Sequence, residues 1–154
     1  MRWNPGRATI EQMLQARQFD RVTASRDFAD RLIGTGRTKL VTAARDAQDD
    51  PDSAYEALYG AARLALVAIL ENQGLRPTSK GGHIATYEAV RAQLDPPLGK
   101  IIKPFDRLRI QRHAVDYPTA STPLITTADV LRDLPVAAAI VDLAATVLDQ
   151  MSVF

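Results

Sequence analysis

The chain has no cysteine, almost no net charge and no long apolar run, and each absence removes a class of protein. Without cysteine there is no disulfide framework, no thiol nucleophile and no zinc–thiolate site; a reducing compartment is compatible with this usage. A net charge of +1 gives no global attraction for nucleic acid, so a polyanionic partner would have to be held by local clustering of basic residues. The longest apolar stretch, Leu64 to Leu70, falls far short of the ~20 residues of a membrane span, and MRWNPGRATIEQ lacks a signal-peptide core. These features predict a soluble, cytoplasmic protein with no membrane partner.

Acidic metal sites are excluded by the same kind of count. The only glutamates are Glu11, Glu56, Glu71 and Glu88, and no Glu-x-x-His pair exists, which removes the carboxylate-bridged di-metal bundle. The two histidines, His83 and His113, lie in separate segments with no metalloprotease spacing around them, so neither a metal nor a cofactor is expected. GTGRTK at 34–39 lacks the spacing and the preceding strand of a phosphate-binding loop. SKGGH at 79–83 sets Lys80 beside a glycine pair at a helix start, a modest candidate for an anion and a better one for a plain cap.

What remains is helical. A chain of 154 residues with 46% hydrophobic and 24% charged residues fits one domain, taken here as 1–154. Thr9 and Gln12 have capping-box spacing, which predicts a helix from near Ile10. A helical region over 24–47 is expected to be interrupted or bent at Gly34–Gly36, since glycine costs ~1 kcal/mol in a helix interior. After DDPDS, the segment AYEALYGAARLALVAILEN is apolar almost all round from Ala61 to Leu70, as befits the centre of a bundle, and ends at Gly74. Further helices are predicted over 83–94, from between Gly99 and Pro104 to just before Pro118, and from Thr127. In the last, Leu131, Leu134, Ala138, Val141, Ala145 and Leu148 form the expected packing stripe, with a kink or restart at Pro135. No segment reads as a strand, and the expected fold is an all-α, up-and-down bundle of five to six helices.

Chemistry concentrates in RLRIQRHAVDY at 107–117. At about 100° per residue, Arg109, Arg112, His113, Asp116 and Tyr117 share an arc of roughly 140°. Between Lys100 and Arg112 the chain carries Lys100, Lys103, Arg107, Arg109 and Arg112 against Asp106, a local footprint suited to phosphate. The same residues also make an ordinary wet helix face, with an Arg112–Asp116 pair and a His113–Tyr117 stack. Spacing leaves both readings open.

Arg112-His113-Ala114-Val115-Asp116-Tyr117, late in an all-α domain and followed by Pro118 and one more long helix, resembles the signature of the HEPN superfamily. The resemblance covers about residues 20–150, including the small-residue core helix and the basic loop before His83. It implies a homodimer whose motif helices form one composite cleft, RNA or a nucleotide as ligand, and metal-independent ribonuclease activity. For bacterial members it also implies a toxin paired with a nucleotidyltransferase antitoxin. Carried over by position, Arg112 is the motif arginine and His113 its polar neighbour, while Tyr117 stands where the family has histidine.

In that setting Arg112 would stabilise charge on the phosphoryl group, His113 would carry the proton and Tyr117 would donate a hydrogen bond. Arg109, Arg107, Asp116, Lys103 and Lys80 would surround the phosphate. Two other readings share the sequence: a catalytically inactive RNA- or nucleotide-binding dimer, and a structural or regulatory dimer whose arginine face meets another protein.

Overall fold

The computed structural model describes residues 3–154. It is an all-α bundle with one small two-stranded ribbon. At its centre runs α3 (Pro51–Gln73), started by the Asp50 carboxylate accepting from the Ser53 N–H at 3.2 Å and by Pro51 in the first turn. Gly74, at φ +81°, closes it in left-handed geometry. By length and hydropathy α3 could cross a membrane, yet it is the core helix here, with 61% of its most apolar window buried. One apolar cluster joins it to residues of every other helix.

Packed along α3 is α2 (Arg26–Asp46), capped by Ser25, which accepts from the Phe28 N–H at 3.1 Å. The predicted interruption does not occur: the helix is continuous through Gly34, Thr35 and Gly36. Tertiary packing accounts for this. A Cβ at Gly36 would lie 3.3 Å from the Ala61 carbonyl oxygen, so the missing side chain lets the two backbones come together. Gly34 faces open space and serves no such contact.

The N-terminal helix α1 (Arg7–Gln15) begins three residues earlier than expected, after Gly6 at φ +72°, and Thr9 is an interior residue rather than a cap. Contrary to the absence of strands in the sequence reading, β1 (Phe19–Arg21) pairs antiparallel with β2 (Leu75–Pro77). Three residues per strand are too few for an alternating pattern to register, but Phe19 and Leu75 are buried and seat the ribbon on the core.

Beyond β2 come α4 (Gly82–Leu94), the single turn α5 (Gly99–Ile102) and α6 (Pro104–Asp116), which carries the motif and stops before Pro118 as expected. The last helix, α7 (Thr127–Val147), opens on a capping box between Thr126 and Asp129 and passes through Pro135 as one element. Its buried face is Val130, Asp133, Ala137, Ile140, Val141, Ala144 and Val147. Of the predicted stripe Val141 and Leu148 are buried and Leu134 and Ala145 pack partly on the core, but at the N-terminal end the face is set one position off and Leu131 is 56% exposed. The reason is Asp133. A carboxylate reads as a surface residue, but this one is fully buried and accepts from Tyr55 Oη at 2.8 Å, Arg107 Nη1 at 2.7 Å and Arg132 Nη2 at 3.0 Å.

Candidate functional site

Phe105 and Leu108, both fully buried, fix the inner face of α6 and thereby aim its polar residues. The Phe105 ring stacks on Tyr59 of α3 at 5.3 Å and on Tyr87 of α4 at 5.7 Å, tying three helices together beneath the motif. Over this aromatic floor the Arg112 guanidinium lies 5.7 Å from the Tyr59 ring centroid. Tyr59 Oη meets His83 Nδ1 at 2.6 Å, which brings the start of α4 to the same place.

Two adjoining cavities result. One, of about 250 Å³, is lined by Gly81, Gly82, His83, Arg109, Arg112 and His113. The other, of about 330 Å³, is reached past Tyr59, His83 and Arg112, which line both, and adds Lys39, Glu56 and Arg63. Thus His83 and His113, remote in sequence, flank Arg112 in one cleft.

The predicted face of α6 is present. Arg112 Nη2 pairs with Asp116 at 2.7 Å, and the His113 and Tyr117 rings lie 4.8 Å apart. Arg109 lines the cleft while pairing with Asp106 at 2.8 Å. Tyr117, 67% exposed, leans on His113 outside the cavity walls, and Asp116 serves as the partner of Arg112.

Three other expected phosphate ligands are drawn elsewhere. Arg107 turns to the opposite flank of α6, against Asp133. Lys103 pairs with Asp95 at 3.3 Å. Lys80 is exposed on the loop before α4 and lines neither cavity. The concentration of positive charge around α6 is therefore largely neutralised, by Asp106 and Asp116 of α6 itself, by Asp95 just after α4 and by Asp133 of α7.

The cations without a carboxylate partner among the described residues of the cleft are Lys39 of α2 and Arg63 of α3, which sequence reasoning passed over. Tyr59 and His83 were missed too. Their contact joins helices with no shared spacing, so no local pattern signals it; only the GGH at a helix start pointed toward the site.

Electrostatics set the protonation states. Burial, then the positive charges of Arg63, Arg112 and Arg109, push the His83 imidazole below its ordinary value, which keeps it neutral at pH 7. Burial raises Tyr59 to about 12 despite the same arginines. A hydrogen bond shared with Asp116, followed by burial, raises the Glu56 carboxyl, with Arg112 opposing. No group of three His, Asp or Glu side chains able to hold a metal occurs among the described residues.

Comparison of the chain with protein-family models, curated proteins and solved structures finds no match to any of them.

Proposed function

We propose that the protein is a metal-independent endoribonuclease of the HEPN type, working as a homodimer. The observation that carries this reading is the placement of two imidazoles, His83 and His113, and two guanidiniums, Arg109 and Arg112, around one cleft. Metal-free cleavage of RNA needs a base to take the 2′-hydroxyl proton as O2′ bonds to phosphorus. It also needs an acid to protonate the departing O5′, and fixed positive charge for the phosphoryl oxygens.

Neutral His83, held by Tyr59, suits the base. His113, open to solvent against Tyr117, suits the acid. Arg112 offers a planar fork to the phosphate, exchanging Asp116 for it. Tyr117 then supports His113 rather than replacing a histidine. A second copy has a surface to cover: Ile110, 57% exposed, and Leu124, 85% exposed, border an apolar groove beside α6.

The test is cleavage of labelled RNA in EDTA by wild type, Arg112→Ala, His83→Ala and His113→Ala. Loss of an acid or base should slow cutting by roughly 10²–10⁴-fold, and loss of the arginine by about 10²–10³-fold. Variants that cut as fast as wild type would sink the proposal. One observation favours the binding-only reading: the residue in the family's histidine position, Tyr117, lies outside the cavity walls. Retention of RNA without cutting in the same assay would select it.

A further inference from the structure

The second cavity shares His83 and Arg112 with the chemistry just described and adds Lys39 and Arg63, the cleft cations that have no carboxylate partner among the described residues. Lys39 reaches it through a notch in α3. Gly60 has no side chain, and the Lys39 stem lies across it: a Cβ there would sit 3.4 Å from Lys39 Cδ and 3.9 Å from Nζ. Arg63, one turn along α3 from Gly60, faces the same space, as do Arg112 and His83.

One carboxyl, Glu56, lines that cavity, and among the described residues it forms no salt bridge with Lys39 or Arg63. Holding two unpaired cations near Arg112 stores repulsion that an anion would relieve. His83 is held below its ordinary value first by burial and then by the positive charges of Arg63, Arg112 and Arg109.

We propose that Lys39 and Arg63 form a second phosphate subsite beside Arg112, so that the protein engages RNA as a strand with consecutive phosphates and not as a mononucleotide. This rests on the ribonuclease reading and extends it. The scissile phosphate occupies the cleft between His83 and His113, and its neighbour in the chain occupies the Lys39–Arg63 cavity. Arg112, common to both cavities, stands between the two phosphates.

The experiment measures binding of 2′-O-methyl oligonucleotides, which lack the attacking hydroxyl, by fluorescence anisotropy over a range of salt. Oligonucleotides with one, two and three phosphates are compared on wild type, Lys39→Gln/Arg63→Gln and a control, Arg31→Gln/Arg37→Gln, that removes the same charge elsewhere on α2. Circular dichroism establishes that all three are folded, and Arg63→Lys provides a charge-conserving check. Wild type and control should bind more tightly with the second phosphate, and their log-affinity against log-salt slope should steepen by roughly 0.7 for that contact. The Lys39→Gln/Arg63→Gln variant should lose this increment while keeping its affinity for the one-phosphate ligand.

If that variant keeps the increment, the subsite is overturned while the ribonuclease reading stands. If wild type binds no oligonucleotide, both fall. A nucleoside triphosphate that outcompetes the three-phosphate strand would assign the cavity to a polyphosphate and overturn the strand proposal.

Discussion

Asp133→Ala should lower stability by about 2–3 kcal/mol, less than the cost of breaking a wholly buried ion pair. The carboxylate is fully buried and accepts hydrogen bonds from Tyr55, Arg107 and Arg132. Removing one partner of a buried pair costs ~3–5 kcal/mol when the other charge is stranded. Here the stranded charges have an exit. The Arg107 and Arg132 side chains are 47% and 52% exposed and can turn to water. The Tyr55 hydroxyl cannot, and its remaining neighbour is Gln111 Oε1 at a long 3.3 Å. The loss is therefore the charge-assisted bonds and one poorly satisfied hydroxyl.

For a chain of this size the melting temperature should fall by roughly 5–10 °C. Thermal and urea unfolding followed by circular dichroism would measure it. The pH dependence supplies a second check. Burial alone would raise Asp133, but hydrogen bonds from Arg132, Arg107 and Tyr55 outweigh it and hold the carboxyl below the usual range. A depressed carboxylate stabilises the fold above its unfolded pKa of ~3.9, and that stability is lost as pH falls through the lower folded value. The gap between wild type and Asp133→Ala should thus be full at neutral pH and narrow only in strong acid. A variant that melts within about 1 °C of wild type at pH 7, or a gap of unchanged size through the acid range, would refute this account.

The paired glycines of α2 should respond in opposite directions. Gly34→Ala, with open space around it, should stabilise the protein by about 0.5–1 kcal/mol. Gly36→Ala, whose Cβ would press on the Ala61 carbonyl, should destabilise it by about 1–3 kcal/mol; urea midpoints of the two variants test the contrast. In the pH profile of kcat/KM for RNA cleavage, a neutral His83 base gives an acid limb below the ordinary histidine value of ~6.5. Arg63→Ala removes one of the charges that lower it, so the limb should move upward; an unmoved limb would assign it to another group.

Local rules made α6 legible. Its arc of polar residues, the Arg112–Asp116 and His113–Tyr117 pairs and its stop before Pro118 all follow from 3.6-residue periodicity and the stiffness of proline. Gly74 and Asp50 marked the ends of α3 in the same way. Where distant segments decide, the sequence was silent. The buried face of α7 depends on Arg107 and Tyr55 reaching Asp133, and the continuity of α2 depends on the approach of Ala61. Counting charges along α6 predicted a basic face, because Asp95 and Asp133, which neutralise Lys103 and Arg107, lie outside the counted stretch. His83 entered the cleft by a hydrogen bond to Tyr59 across 24 residues, a partner that no periodicity could name.

The two helices that face each other at the back of the cleft are notched reciprocally. Gly36 of α2 receives the backbone of α3 at Ala61, while Gly60 of α3 receives the stem of Lys39 from α2. The notches stand one residue apart on α3 and three apart on α2, so they act as opposed teeth of a ratchet. Sliding either helix by one turn, ~5.4 Å, would drive a side chain into a backbone at one notch and empty the other. The spacing between Lys39 and Arg63 is thus a property of helix register, set in the core and insulated from the loops that border the cleft.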